Sequence, residues 1–345
     1  MKYRIIILLA AALTAVCLTA CNSASSVDSA QSNKLKIVTT IFPEYDWVMN
    51  ILGDNPAGAE VTMLLDNGVD LHSFQPTADD IMKISTCDVF IYVGGESDEW
   101  VEDALKEASN KDMAVINLLD VLGDSVKEEE VVEGMQEEDE HEHEHDDGEE
   151  AQEHDEDEHE HDEEEETEYD EHVWLSLRNA AILTEDISEK IRDLDPDNAE
   201  VYENNTKAYI ERLNGLDSQY KDVVSSSSVK TILFGDRFPF RYLTDDYGLI
   251  YYAAFVGCSA ETEASFETIT FLSNKVDELS LHAVMTIEGT DHRIAETIVD
   301  STKSKNQKIL TMDSMQSTTS KDVANGTTYY SVMENNLTVL KEALN

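Results

Sequence analysis

The sequence predicts an α/β protein made of two lobes with mainly parallel sheets, joined by one long rigid helix. Short β-branched runs alternate with longer amphipathic stretches in two series, one in each half of the chain. Strands that alternate with helices at this spacing indicate βαβ units and parallel sheets. Between the two series, residues 197–224 keep a helical pattern. A helix of nearly 30 residues is on the order of 40 Å long, so we expect a strut between the lobes.

The first lobe is predicted to span residues 34–175. Its short runs rich in Val and Ile predict strands, and its longer amphipathic stretches predict helices. The predicted strands are 35–40, 61–65, 89–93 and 114–118. The predicted helices between them are 45–52, 77–85 and 99–109.

The second lobe is predicted to span residues 225–345 and repeats this alternation. Its predicted strands are 231–234, 250–254, 283–287 and 308–311. Its predicted helices are 266–279, 292–303 and 329–344. A helical region, residues 176–224, lies between the lobes. Within it, Asp195 and Pro196 form a helix start, with Asp as the cap and Pro in the first turn.

The N-terminus has the pattern of a bacterial lipoprotein signal peptide. Positive charge in Met1–Arg4 precedes an apolar run that is too short to span a bilayer comfortably. Leu18-Thr19-Ala20-Cys21 resembles a lipobox, in which cleavage after residue 20 leaves Cys21 as the lipidated first residue. We therefore expect an extracytoplasmic protein that is anchored to the bacterial cell membrane through lipid on Cys21, with residues 21–33 as a flexible tether.

An acidic and histidine-rich segment, residues 128–171, interrupts the first lobe. It holds 28 Asp and Glu residues and no Lys or Arg. Such a charge run cannot bury a core, so we expect a disordered loop. Imidazoles interleaved with carboxylates favour weak, exchangeable binding of zinc and related cations. The histidines of the segment are His141, His143, His145, His154, His159 and His161.

Charge and cysteine content argue against two further properties. The formal net charge is -50, and removing the 28 negative charges of the acidic segment leaves -22 for the rest of the chain. An acidic surface repels phosphate, so we expect no nucleic-acid partner. Once the signal peptide has left and Cys21 carries lipid, only Cys87 and Cys258 remain, one in each predicted lobe. This distribution does not indicate a disulfide framework.

Two isolated histidines stand at the ends of predicted elements. His72 lies in the loop of residues 68–76, after a predicted strand and before a predicted helix. His172 lies where the acidic segment gives way to the apolar residues 173–175. Open α/β sheets bind ligands at the carboxyl ends of their strands, so both histidines are candidate metal ligands.

These features together resemble the metal-specific solute-binding proteins of ABC transporters for zinc and manganese. The motifs that carry the resemblance are Thr40-Ile41-Phe42-Pro43, residues 68–76, Tyr92-Val93-Gly94-Gly95 with Trp100, His172-Val173-Trp174, Tyr247-Gly248-Leu249 and residues 329–340. The resemblance implies two α/β lobes that are joined by one long helix and hold the metal between them. It also implies a monomer that captures Zn²⁺, or alternatively Mn²⁺, and delivers it to an ABC permease. Zinc members of the family commonly carry a His- and acid-rich loop just before the second ligand.

The resemblance assigns ligands position by position. His72 and His172 match the two histidines of the first lobe, and Asp313 matches the carboxylate of the second lobe. The remaining family position, His or Glu, falls on Arg237, whose guanidinium stays protonated and has no acceptor for a metal.

Three groups are alternatives for the missing ligand. Asp236 is one residue from the family position. The loop of residues 257–263 offers the Cys258 thiolate, which is a soft ligand for zinc, or the Glu263 carboxylate. Water is the third alternative. Glu288, at the end of a predicted strand, is a candidate for supporting the site or for a structural role.

Zinc capture for uptake has two competing interpretations. A secreted zinc hydrolase would need an open coordination position and a general base. The His-Glu repeats lie in the acidic run, where no amphipathic helix is predicted, so we do not expect an enzyme. In the second alternative, a surface metal buffer or adhesin, the acidic segment does the main work and the lobes display it. The histidine-rich segment favours zinc over manganese as the captured metal.

Overall fold

Two parallel four-stranded sheets form the frame of the molecule, in a computed structural model that describes residues 34–136, 168–259, 263–289 and 291–345. The strands of the first sheet are β1 (Lys36–Thr39), β2 (Glu60–Met63), β3 (Val89–Tyr92) and β4 (Ala114–Asn117). Its helices are α1 (Phe42–Leu52), α2 (Ala78–Thr86), α3 (Trp100–Lys106) and α4 (Leu118–Leu122). The strand order is β2-β1-β3-β4, and each neighbouring pair is parallel. The four predicted strands are therefore confirmed, with ends that differ by at most two residues.

Two packed helices connect the lobes: α5 (Leu177–Leu194) and α6 (Ala199–Ser226). Ser176 caps α5, because its hydroxyl accepts a hydrogen bond from the backbone N–H of Asn179 at 3.1 Å. A 3₁₀ turn at Pro196–Asn198 precedes α6, which has 28 residues. The predicted strut is confirmed, and it begins and ends two residues later than predicted. None of the described helices combines the length and the apolar composition needed to cross a bilayer.

The second sheet contains β5 (Thr231–Phe238), β6 (Ile250–Val256), β7 (Ala283–Ile287) and β8 (Lys308–Met312). Its helices are α7 (Arg241–Tyr247), α8 (Phe266–Leu279), α9 (Arg293–Ser301), α10 (Ser320–Ala324) and α11 (Tyr329–Ala343). The strand order is β6-β5-β7-β8, again with parallel pairs. The short helices α7 and α10 were not predicted, because seven and five residues are too few to show a helical period.

One continuous apolar core runs through both lobes and the connecting helices. It includes Trp47 of the first lobe, Trp174 before α5, Tyr220 of α6, and Phe234 and Tyr329 of the second lobe, all fully buried. A smaller cluster lies on the other face of the second sheet, under α8 and α9. Because the lobes share one core, the loops that face each other between them are held in a fixed relation.

Strand β5 is four residues longer than the predicted strand 231–234 and contains an irregularity. Its register against β6 shifts between Phe234 and Arg237. Gly235 lies at this shift, where a Cβ atom would come within 2.6 Å of the Cα of Ala295. Asp236 and Arg237 are polar, so the apolar run ends at residue 234 and does not predict this part of the strand.

Gly235→Ala should lower the free energy of unfolding by about 1–3 kcal/mol, because the added methyl group overlaps the backbone of α9. The measurement is urea denaturation. Gly215→Ala is the matched control, since Gly215 lies within α6 and a Cβ there meets nothing within 4 Å. That change should leave stability equal or raise it by up to about 1 kcal/mol. Equal stabilities for the two variants would contradict the close packing of β5 against α9.

The predicted disordered segment 128–171 is folded at both ends, and the prediction is wrong there. Glu128 pairs with Tyr169 in an antiparallel bridge, and the N–H of Glu129 donates to the carbonyl of Glu168 at 2.9 Å. Residues 127–136, which we call the strap, then lie on the second lobe, where the N–H of Gln136 donates to the carbonyl of Ala254 at 2.9 Å. Backbone pairing and contacts with the second lobe place these acidic residues despite their charge. Residues 137–167, with the six histidines, lie outside the described residues, as do the signal peptide, the tether and Cys21.

Candidate metal site

His72 is presented by a short 3₁₀ turn at Leu71–Ser73 that follows β2. Asp70 caps this turn, because its Oδ1 accepts a hydrogen bond from the N–H of His72 at 3.0 Å. The Nδ1 atom of His72 lies 2.8 Å from the hydroxyl of Ser97 and 3.4 Å from Oε2 of Glu171. When Nδ1 carries the proton and donates to the Ser97 hydroxyl, Nε2 presents a lone pair.

His172 is fully buried at the start of the turn Val173–Leu175. Oδ1 of Asp170 accepts two hydrogen bonds from it, one from the backbone N–H at 2.9 Å and one from Nδ1 at 3.0 Å. A carboxylate that accepts from Nδ1 fixes the tautomer in which Nε2 has the free lone pair. The ring also packs against the indole of Trp174, with ring centroids 5.2 Å apart.

The two Nε2 atoms of His72 and His172 are 3.2 Å apart. Two tetrahedral nitrogen ligands at about 2.0–2.1 Å from zinc lie about 3.4 Å from each other. Nδ1 of His172 is oriented by the Asp170 carboxylate, and Nδ1 of His72 by the Ser97 hydroxyl with the Glu171 carboxylate 3.4 Å away, an arrangement usual for metal-binding histidines. The first lobe therefore places two imidazole nitrogens at the spacing that two ligands of one zinc ion would have.

Cys258 of the second lobe lies beside this pair of histidines. It follows β6, and its N–H donates to Oε1 of Glu129 on the strap at 3.1 Å. The ligand atoms of His72, His172 and Cys258 all lie within 4.8 Å of one another, and among the described His, Cys, Asp and Glu residues this is the group that converges. Burial raises the pKa of the Cys258 thiol, and the negative charge of the nearby Glu129 raises it further.

Gln316 is the functional candidate that the sequence analysis missed. Its side-chain amide contacts Nε2 of His172, and its Oε1 is buried without a hydrogen-bond partner in the part of the chain that the structure describes. Asp313 directed attention to the loop after β8 but not to Gln316, because an amide is a weaker metal ligand than a carboxylate. A search for every oxygen-bearing side chain in that loop would have included it.

Asp313 and Glu288 shape the loop that carries Gln316. Oδ1 of Asp313 accepts a hydrogen bond from the N–H of Met315 at 2.8 Å. Glu288 accepts from the N–H and the hydroxyl of Ser314, both at 2.7 Å, and from the N–H of Gln316 at 3.2 Å. Burial raises the pKa of both carboxyl groups, and the charge of Asp313 further raises that of Glu288. The structure does not bring Asp313 into the group formed by the histidines and Cys258, so its ligand role stays a prediction.

Asp236 and Arg237 serve other contacts. Oδ2 of Asp236 accepts a hydrogen bond from the N–H of Ile287 at 3.2 Å, within the second sheet. The guanidinium of Arg237 pairs with Asp70 of the His72 loop, with Nη2 and Oδ2 2.6 Å apart. This ion pair links the lobes at the edge of the site. Asp236 is outside the converging group, and so is Glu263, whose side chain is exposed.

A cavity of about 270 Å³ opens beside the site. It is lined by His72, Cys258 and six further residues: Glu96, Ser97, Glu129, Glu168, Tyr169 and Glu171. Four carboxylates in a small concave volume create a negative potential that attracts cations. Glu168 directly follows the histidine-rich residues 137–167 in the chain.

Comparisons with known proteins give one consistent answer. The model of the ZnuA family, described as zinc-uptake complex component A, periplasmic, matches residues 37–343. The zinc-binding lipoprotein AdcA of Streptococcus pneumoniae is 32% identical over 335 residues, which cover 97% of this chain and 60% of AdcA. The high-affinity zinc uptake system protein ZnuA of Bacillus subtilis is 29% identical over 327 residues, which cover 94% of this chain and 93% of that protein.

The fold also has a solved counterpart. The crystal structure of the Zn(II)-bound ZnuA-like domain of S. pneumoniae AdcA matches with a TM-score of 0.66 at 28% identity, and the match covers 90% of this chain and 99% of that domain. The chain spans about 60% of the length of full S. pneumoniae AdcA. The two-lobed architecture predicted from the sequence is confirmed.

Proposed function

Since the chain belongs to the ZnuA family of zinc-uptake components, we propose that it is the zinc-capturing solute-binding lipoprotein of an ABC uptake system. Membership confirms the resemblance noted in the sequence, and a family of uptake components supports a role in zinc uptake over an enzymatic role. The observation that carries the proposal is the pair of oriented imidazoles, with Nε2 atoms 3.2 Å apart, beside the candidate ligand Cys258 of the other lobe. Such a site holds a single cation between the lobes.

Zinc is the proposed cargo, with manganese as the alternative. The relatives of S. pneumoniae and B. subtilis are named for zinc binding and zinc uptake. Nitrogen ligands at this spacing suit zinc, whereas manganese prefers shells rich in oxygen. We propose that the chain binds the ion as a monomer and releases it to a membrane permease.

The N-terminus supports the proposed location. Cys21 follows a signal-peptide pattern, and the S. pneumoniae relative is named a lipoprotein. Lipid on Cys21, together with the polar tether of residues 21–33, would hold the lobes outside the membrane next to the permease. The histidine-rich residues 137–167 would collect cations near the acidic cavity, because weak sites exchange metal readily.

Replacing residues 137–167 by a short Gly-Ser linker should leave one tight zinc site per chain and remove the weak sites. The reason is that His72, His172 and Cys258 all lie outside the deleted range. Calorimetric titration with Zn²⁺ in the presence of a competing chelator separates the two classes. Loss of all tight binding would favour the metal buffer or adhesin instead.

The matched control for this deletion is His72→Ala in the full chain. It should lose the tight site and keep the weak ones, which is the reverse pattern. Two variants with opposite losses would assign each class of site to its own part of the chain. If both variants lost the same class of zinc site, the assignment of tight and weak sites to different parts of the chain would be contradicted.

A further inference from the structure

We propose that Cys258 and Gln316 complete the metal site with His72 and His172, so that this chain holds its cargo through a thiolate and an amide oxygen from the second lobe. The inference rests on the proposed function, because it names the ligands of the same site. It also favours cations that accept sulfur, such as zinc and cadmium, over manganese.

The position of Cys258 is fixed from two sides. Gly257 lies against His172, where a Cβ atom would come within 3.0 Å of the ring carbon Cε1. The N–H of Cys258 is held by Glu129 at 3.1 Å. Backbone contacts on both sides therefore place the sulfur beside the two imidazoles, where all three ligand atoms lie within 4.8 Å of one another.

Gln316 faces the same point from the opposite loop. Its amide nitrogen contacts Nε2 of His172, and the amide oxygen is buried with no partner among the described residues. A buried amide oxygen normally has a partner, and rotating the amide by 180° exchanges its oxygen and nitrogen. After rotation, Oε1 and the lone pair of His172 face each other, and a cation between them satisfies both.

Two other groups near the histidines make contacts of their own. Asp70 pairs with Arg237, and that guanidinium has no lone pair to offer a metal. Oδ1 of Asp313 holds the N–H of Met315 within its own loop. Among the described residues of the second lobe, Cys258 and Gln316 are the ones whose donor atoms lie beside the histidine pair.

This set of ligands discriminates among metals. Thiolate and imidazole favour zinc and softer ions, whereas manganese needs hard oxygen ligands in a larger shell. The thiol loses its proton to solvent as the sulfur–metal bond forms, and the divalent charge stabilises the thiolate. One thiolate also offsets one positive charge of the ion, with the remaining charge facing Asp170 and Glu171 behind the histidines.

The first test uses Co²⁺ as a spectroscopic probe in the full chain. The wild type should show a thiolate-to-cobalt charge-transfer band that one equivalent of Zn²⁺ removes, and Cys258→Ser should lack this band. Cys87→Ser is the matched control, since Cys87 is buried in the first lobe with its sulfur against Met113. Zinc affinity of Cys258→Ser should fall at least tenfold. A band of unchanged intensity in Cys258→Ser would overturn the inference.

The second test separates Gln316 from Asp313. Gln316→Ala should weaken zinc binding at least tenfold, and Gln316→Glu should strengthen it, because a carboxylate is the better ligand at the same position. Asp313→Asn keeps an amide oxygen that can accept from the N–H of Met315, so it should weaken zinc binding less than Gln316→Ala does. Loss of affinity in Asp313→Asn with none in Gln316→Ala would overturn the inference and support the ligand role predicted for Asp313.

Different results would contradict the proposed function and the proposed ligand set. A wild type that takes up no stoichiometric zinc would end the proposed function itself. A wild type that binds one zinc tightly, with unchanged affinity in Cys258→Ser and Gln316→Ala, would overturn only this ligand set.

Discussion

Replacing His172 by alanine should weaken zinc binding about a hundredfold or more. The residue supplies one of the two nitrogens that stand 3.2 Å apart, and its Nδ1 is already oriented by Asp170 at 3.0 Å. Loss of a group that merely supports a ligand costs about 10–100-fold in metal affinity, so loss of the ligand itself should cost at least as much. Competition titration against a chelator of known zinc affinity measures the change.

Two further variants make this result interpretable. His172 is fully buried, so its removal alone could disturb the fold, whereas the side chain of His72 is partly accessible at 11% exposure. His72→Ala should therefore lose the same affinity with a smaller loss of thermal stability. His282 is an exposed histidine of the second lobe, and His282→Ala should bind zinc as the wild type does. Wild-type affinity in both His72→Ala and His172→Ala would remove the site assignment.

Trp174→Ala should lower the free energy of unfolding by about 3–5 kcal/mol, the usual cost of removing a fully buried tryptophan. The indole N–H donates to the carbonyl of Ser314 at 2.8 Å, and the carbonyl of Trp174 accepts from the hydroxyl of Tyr329 at 2.6 Å. Trp174 therefore ties the turn after His172 to the loop of Gln316. Urea denaturation measures the loss, and zinc affinity should fall with it.

A second variant at this position separates the contribution of the buried ring from that of the indole hydrogen bond. Trp174→Phe keeps most of the buried ring but leaves the Ser314 carbonyl without its donor, so it should cost about 1–3 kcal/mol. Phe266→Ala is the surface control, because Phe266 is 86% exposed and its removal should stay within about 0.5 kcal/mol. A loss below about 1 kcal/mol in Trp174→Ala would show that the tie between the loops carries little stability.

Contacts between the two lobes explain why stability and zinc affinity should change together. His72 and His172 belong to the first lobe, while Cys258 and Gln316 belong to loops of the second. The Arg237–Asp70 ion pair and the hydrogen bond from Trp174 to Ser314 both cross from one lobe to the other. The candidate site is thus assembled by the packing of the lobes, and a change that loosens this packing should also move the proposed ligands apart.

The sequence by itself determined the alternation of strands and helices, the long connecting helix and the two histidines. These features depend on local periodicity or on a single residue at the end of an element, which can be read along the chain. The extension of β5 through Asp236 and Arg237 was not predictable in this way, because polar residues carry no apolar period.

Only the tertiary structure decided which second-lobe groups face the histidines. Asp313 and Gln316 lie three residues apart in one loop, and the hydrogen bonds of Glu288 and Trp174 determine which side chain turns toward His172. The same applies to the folded ends of the acidic segment, where contacts with the second lobe outweigh charge repulsion. Contacts between residues more than a hundred positions apart depend on how the lobes pack, and no local pattern in the sequence records that packing.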